Sequence, residues 1–403
     1  MPCGAHLATG DVNGGAPPLR VALLADAITP PLTGIGRYAW ELARRLSDPA
    51  HAIRLSPLTL AGWRDLGALE AGLSGVSAGG LARRVAGVAW AAPAVEAARR
   101  FAYGRWLRPL RGRRDVVLHG PNYHAPASDL PTVITLHDLS TVLFPETHPA
   151  ERVKRVDIML EVARRRDFDI ITDAAVTADD IVRVVGAPRE RVHVVGLGVG
   201  RPFSPSDPLA AAATMAKYGL TAGAYCLSVG AIEPRKNLSR LLAAYAALPA
   251  ALRSAHPLAV AGAKGWRDQG LLRDLELARR DGWLRPLGYV PLEDLPDLYS
   301  AARLCAYVSL YEGFGLPVAE AMACGAPVLA STASSLPEVA GGAAMLVDPT
   351  DVAAITRCLE RALTDAAWRA EAGRRGLARA RDLSWDRTAA NTARVYRAVL
   401  ARS

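Results

Sequence analysis

The sequence predicts an α/β protein built from two doubly wound units, and three features predict it. Short apolar runs alternate with longer helical patterns along most of the chain, as in parallel sheets covered by helices. At 403 residues the chain exceeds what one hydrophobic core usually organises. Between the halves, residues 196–208 concentrate the glycines and prolines that stop regular structure.

In the first half the strand candidates are residues 21–25, 53–58, 116–119, 133–136, 170–172 and 192–195. In the second half they are 225–229, 258–261, 304–308, 328–330 and 345–347. The expected organisation is a disordered Gly/Pro/Ala-rich leader over 1–18, one Rossmann-like domain over 19–200 and a second over 201–383. A final helix over 384–403 is expected to pack back on the first domain. Two such units place ligands in a cleft between the carboxyl ends of their strands, so the working site should draw on both.

Composition narrows the class. With 51% hydrophobic and 22% charged residues the chain reads as globular, and no window reaches the roughly 18 uninterrupted apolar residues of a membrane span. Five cysteines (Cys3, Cys226, Cys305, Cys324 and Cys358) form no CxxC pair, which points to reduced thiols in a cytoplasmic protein. The net charge of +9 is unevenly placed. Arg83, Arg84, Arg99, Arg100, Arg105, Arg108, Arg111, Arg113 and Arg114 crowd a segment with Trp90, Phe101, Tyr103 and Trp106, a mixture suited to an anionic membrane surface or to a solvated helix face. No nucleic-acid-binding module is recognisable, so nucleic acid is not an expected partner.

Four segments carry candidate chemistry. Gly34-Ile35-Gly36-Arg37-Tyr38-Ala39 fits G-x-G-x-x-A after the first strand, but the intervening loop contains prolines, and the next strand ends without an acid for a ribose. A backbone approach to a phosphate or acceptor and a plain helix-entry turn both fit it. His137-Asp138 follows a buried strand, where His137 could bond a hydroxyl or move a proton, or could equally be structural. Arg235-Lys236 follows a strand and Gly230 just where a helix should start. Cations oppose a helix dipole there but suit a diphosphate. Finally Glu312 and Glu320 bracket Gly313-Phe314-Gly315-Leu316-Pro317, a turn and helix start whose N–H groups attract phosphate or sugar oxygens.

Together with Phe144-Pro145-Glu146, Gly262-Ala263-Lys264-Gly265-Trp266, Leu287-Gly288-Tyr289-Val290, Ser335-Leu336-Pro337-Glu338-Val339 and Ser384-Trp385, these segments make the chain resemble retaining glycosyltransferases of family 4, which have the GT-B fold. The likeness spans nearly everything after residue 18. It implies that Glu320 holds the nucleotide ribose, and that Glu312 with the backbone of Phe314 and Gly315, next to Leu316, holds the donor sugar. Arg235 and Lys236 would bind the diphosphate, and Tyr289 and Val290 would lie against the base. His137 would meet the sugar, and Gly36 would let its loop approach the reaction centre. No catalytic metal and no cofactor are implied beyond the nucleoside-diphosphate sugar itself.

The wording of the motifs is nearest to bacterial mannosyl- and rhamnosyltransferases of surface polysaccharide assembly, which favours a GDP-linked donor and a glycan or lipid-linked acceptor. The implied location is the cytoplasm, at or near the inner face of the plasma membrane. Relatives often carry a Ser-Glu-Phe-Ser type run where this chain has Ala174-Ala175-Val176-Thr177, and Pro where it has Val308. A nucleotide-sugar epimerase of the same fold and a noncatalytic binding subunit are the alternative readings.

Overall fold

The computed structural model describes residues 18–74, 93–263 and 269–403. The expected leader, Cys3, Arg83, Arg84, Trp90 and Lys264-Gly265-Trp266 lie outside them. The chain divides into two compact units. One runs to Leu139 and takes in Glu151–Gly196 and Trp385–Ser403; the other comprises Ser140–Ala150 and Leu197–Ser384.

In the first unit the apolar runs become strands because both of their faces are covered. The interior strand β1 (Leu19–Leu24) is buried from Arg20 onward. It pairs in parallel with β2 (Ile53–Thr59) and β4 (Val116–Gly120), aligning Leu19 with Ile53 and Arg20 with Val116. The short β3 (Gly62–Trp63) adds an antiparallel edge. With β5 (Thr132–Thr135), β6 (Asp169–Thr172) and β7 (Val192–Val194), the sheet order is β3-β2-β1-β4-β5-β6-β7. Strand order therefore reverses between β1 and β4, where open α/β sheets receive ligands.

Helix α1 (Gly34–Leu46) follows the loop after β1, and Thr33 caps it by accepting the Gly36 N–H at 3.2 Å. Gly36 is required there, since a Cβ would lie 2.5 Å from the Ala27 carbonyl oxygen. The Trp385–Ala401 helix packs on α1 and β4, burying Trp385, Ala389, Ala393 and Tyr396. It also closes a polar chain through the core. His119 meets the Tyr396 hydroxyl at 2.6 Å and Thr135 Oγ1 at 2.9 Å, and Thr135 meets the Tyr38 hydroxyl at 3.0 Å. Burial and the nearby His137 charge hold the His119 pKa down to about 3, so its ring stays neutral.

Helix α2 (Pro93–Leu107) corrects part of the membrane expectation. Arg99 is buried, and its charge acts on Asp26, whose carboxylate also accepts the Tyr103 hydroxyl. Neither Arg99 nor Tyr103 can face a bilayer. The side chains of Phe101 (76% exposed), Arg105 and Arg108 do reach solvent.

The second sheet runs β10-β9-β8-β11-β12-β13, all parallel. Its strands are β8 (Cys226–Val229), β9 (Leu258–Ala261), β10 (Leu284–Gly288), β11 (Leu304–Tyr307), β12 (Val328–Ser331) and β13 (Met345–Val347). Order reverses between β8 and β11. Cys226, Cys305 and Cys324 are buried and free, and Cys358 is half-buried and free. Among the described residues no helix is long and apolar enough to cross a membrane.

Candidate active site

The segments leaving β8 and β11 flank the switch point of the second sheet, and both carry charge. After β8, Gly230 takes φ 152°, and Gly262 passes so close that a Cβ on it would lie 1.8 Å from the Gly230 carbonyl oxygen. The chain then makes one 3-10 turn, Pro234–Lys236, before helix α3 (Leu238–Ala246). Asn237 between them has φ 60°, and its buried side-chain amide donates to the carbonyls of Val308 (2.9 Å) and Pro349 (2.7 Å). An asparagine tolerates the left-handed region, and these two bonds fix where Arg235 and Lys236 emerge.

After β11, Ser334 and Ser335 clamp the turn. Ser334 Oγ takes the Glu312 N–H at 2.8 Å and bonds the Glu312 carbonyl at 2.9 Å, while Ser335 Oγ bonds the carbonyls of Glu312 and Phe314 at 3.0 and 2.8 Å. Gly315 then turns at φ 104° with Leu336 so near that a Cβ would meet its Cδ2 at 2.4 Å, which leaves glycine as the residue that fits. Helix α4 (Leu316–Ala323) starts immediately, and Glu320 lies one turn inside it.

These devices bring Arg235, Lys236 and Glu312 together. Glu312 Oε1 takes Lys236 Nζ at 2.6 Å and the Tyr307 hydroxyl at 2.8 Å, and Oε2 takes Arg235 Nη1 at 2.9 Å. Arg235 also donates to Glu233 and to the Tyr311 carbonyl, each at 3.2 Å. Lys236 reaches the Tyr307 hydroxyl at 2.6 Å, with Nζ 5.2 Å from the ring centre. Burial alone would raise the Glu312 carboxyl, but Lys236 and Arg235 hold it down to about 2. Burial pushes Tyr307 well above its ordinary value, so its hydroxyl keeps its proton and donates to Glu312. Burial also lowers Lys236, against the pull of Glu312.

Glu320 is held by a different tyrosine. It is buried, and one carboxylate oxygen accepts the Tyr299 hydroxyl at 3.2 Å. Phe314 is buried, Leu316 is half-buried, and Val290 is buried beside Tyr289, which is 61% exposed. Phe144, from the excursion at Ser140–Ala150, packs its ring 5.5 Å from that of Tyr311, one residue before Glu312.

His137 and Gly36 belong to the first unit. His137 Nδ1 lies 2.8 Å from Asp173 Oδ2, and Nε2 lies 3.0 Å from the Pro121 carbonyl. Both partners are acceptors and a neutral ring has one N–H, so the contact with Asp173 holds a second proton. Burial pulls the His137 pKa down, but Asp173, the Pro121 carbonyl and Asp138 outweigh it and raise it. Both ring nitrogens are thus engaged, and the ring makes a T-shaped contact with Tyr38, centroids 4.9 Å apart. At the amino-terminal ends of that sheet's strands, a recess of about 430 Å³ lined by Arg114, Arg166, Arg191 and Arg402 includes none of the predicted donor-site residues.

Sequence reasoning missed Tyr307, Tyr299, Ser334 and Asp173. Asp173 was the most accessible of these, as an acid directly after the apolar run 170–172. Ala174 starts its helix with no side-chain cap, which is the structural result of the departure noted at 174–177.

Two doubly wound units, one presenting paired cations and carboxylates at a strand-order reversal, define the GT-B class of nucleotide-sugar enzymes. The comparisons agree. The family described as Glycosyl transferases group 1 matches residues 214–379. The chain is 37% identical to the O-antigen chain mannosyltransferase B of Escherichia coli, over 94% of this chain and all of that protein. It is 35% identical to the serotype-specific mannosyltransferase WbdA of the same organism, over 67% of this chain but about a third (34%) of that longer protein. In fold it is similar to WaaG, a glycosyltransferase involved in lipopolysaccharide biosynthesis, with a TM-score of 0.67 at 17% identity over 93% of this chain and 98% of that one. The sucrose-phosphate synthase of Thermosynechococcus elongatus gives the same TM-score of 0.67 at 20% identity, over 95% of this chain and all of that one. The chain belongs to the glycosyl transferases group 1 family. It is a glycosyltransferase, which sets aside the epimerase and noncatalytic readings.

Proposed function

We propose that this glycosyltransferase moves mannose from a GDP-linked donor to a glycan or lipid-linked acceptor in surface polysaccharide assembly, with retention of configuration and without a metal ion. The observation that carries the reading is the Arg235–Lys236–Glu312 cluster at the β8/β11 switch point. Two cations of different geometry suit a diphosphate, and their charge would stabilise the leaving group as the glycosidic bond breaks, the task a metal ion performs elsewhere. The mannosyltransferase relatives support the sugar and the polysaccharide context.

Neither carboxylate is placed as a free nucleophile. Glu312 is held by two cations and a phenol, and Glu320 by Tyr299. This supports substitution on the donor's own face through an oxocarbenium-like state, with the leaving phosphate taking the acceptor's proton. The protein would then supply positioning and electrostatic stabilisation. Glu320 is assigned to the ribose hydroxyls, the Phe314–Leu316 turn with Glu312 to the sugar, Tyr289 and Val290 to the base, and His137 to the sugar. A peripheral location on an anionic membrane surface is part of the proposal, carried by Phe101, Arg105, Arg108 and Arg111, all exposed.

The test is a thermal-shift screen over UDP-, GDP-, ADP- and dTDP-sugars, followed by transfer to a lipid-linked acceptor with and without EDTA, and NMR of the product's anomeric centre. GDP-mannose should give the largest shift, and the product should be α-linked and unaffected by EDTA. A β-linked product or loss of turnover in EDTA would overturn the mechanism.

A further inference from the structure

Every oxygen of Glu312 is engaged by a group that a donor substrate would itself affect. Lys236 Nζ and the Tyr307 hydroxyl hold Oε1, and Arg235 Nη1 holds Oε2. The Glu312 side chain is 8% exposed, so water is a poor substitute for a lost partner. The charged or titratable groups that face it are Arg235, Lys236 and Glu233 from the segment after β8 and Tyr307 from β11; Ser334 and Ser335 bind only its backbone. A diphosphate that draws Arg235 and Lys236 toward itself takes them from Glu312, leaving a buried carboxylate with only the uncharged hydroxyls of Tyr307 and Ser309. Removing the partner of a buried charge is strongly unfavourable.

We infer that Glu312 makes the site discriminate an intact nucleotide sugar from the free nucleoside diphosphate, and that Tyr307 is the positioning residue that holds Glu312 through the exchange. This deepens the proposed donor reading and rests on it. A nucleotide sugar brings a diphosphate for the two cations and sugar hydroxyls that donate to Glu312, so both sides of the broken ion cluster regain partners. A nucleoside diphosphate satisfies the cations and leaves Glu312 short of donors. Product is thereby bound less well than donor, although its terminal phosphate carries more charge, and its release is favoured once the sugar has left.

The experiment is calorimetric titration of wild type and Glu312→Gln with two ligand pairs, GDP with GDP-mannose and UDP with UDP-glucose, using the pair that binds. A glutamine neither competes for the cations nor becomes an unpaired charge when they move. The expected result is about tenfold tighter binding of the nucleoside diphosphate by Glu312→Gln, with nucleotide-sugar binding unchanged or weaker. If the variant weakens both ligands in parallel, Glu312 only organises the cations, and the inference fails. If it weakens the nucleotide sugar and leaves the diphosphate unchanged, Glu312 is a sugar ligand without the exchange, and the inference fails again.

Should Glu312→Gln not fold, Tyr307→Phe gives the second reading. It should weaken the nucleoside diphosphate at least threefold more than the nucleotide sugar, whereas a merely structural role weakens both equally and overturns the inference. Failure of wild type to bind any of the four ligands is a different result, which removes the donor reading itself.

Discussion

Both units place charged side chains just beyond the carboxyl ends of parallel strands, but they use them in opposite ways. In the second unit Arg235 and Lys236 pair with Glu312 through contacts that a phosphate and a hydroxyl could take over. In the first unit His137 spends both nitrogens on Asp173 and the Pro121 carbonyl, groups of its own scaffold. The lesson is that burial and charge do not by themselves mark a reacting group. Partners that a ligand can replace distinguish an exchangeable site from a structural one.

The largest expected effect tests the exchangeable side. Lys236→Ala removes one of two cations assigned to the leaving diphosphate and should lower kcat/KM by about 10²–10³-fold, with kcat falling at saturating donor. Steady-state kinetics of Lys236→Ala and Asp173→Asn side by side would break the contrast if the two lost activity equally.

The next largest effect concerns charge that the first unit turns outward. Arg105, Arg108 and Arg111 are exposed, as is Phe101 between α2's inward-facing Arg99 and Tyr103. Arginines near an anionic surface contribute about 1 kcal/mol each, so replacing these three by Gln should reduce partition to phosphatidylglycerol vesicles by up to about 100-fold at low salt. The difference should shrink as salt screens it. Equal sedimentation of both proteins with the vesicles would remove the membrane assignment.

That helix also shows what a sequence conceals. Arginines at 99, 105 and 108 look alike in composition, and only packing reveals that Arg99 turns toward Asp26. The fold was easier to read, because strands covered on both faces leave apolar runs: β9 and β13 match the expected runs and most others differ by a residue at either end. The exceptions are two edge strands, the two-residue β3 and β10, which reads Leu-Arg-Pro-Leu-Gly with only Leu284 of it buried. In the site, Glu312, Arg235 and Lys236 were legible because glycines and a proline mark their turns. Tyr307, Tyr299 and Asp173 were not, since a tyrosine within an apolar run reads as core, and an acid after a strand reads as a cap.

A smaller effect separates the two carboxylates. Glu320 accepts the Tyr299 hydroxyl and is assigned to the ribose, so Glu320→Ala should raise the donor KM about tenfold and change kcat little. A fall in kcat with unchanged KM would move Glu320 into the reacting centre and merge the two assignments.

The smallest effect is one of stability, and it has opposite signs in the two units. The Glu312 pKa is depressed from 4.5 to about 2, so its contribution, roughly 3 kcal/mol, is complete above 4.5 and lost only as pH falls through about 2. The His137 pKa is raised above 6.5, so its contribution is complete below 6.5 and lost as pH rises through the raised value. Asp173→Asn keeps an acceptor for Nδ1–H but removes the charge that retains the second proton. The variant should therefore melt a few degrees below wild type at pH 6 and closer to it at pH 8.5. A gap that is the same at both pH values would mean that His137 and Asp173 hold no extra proton, and that the ring is a neutral group held by one donated bond.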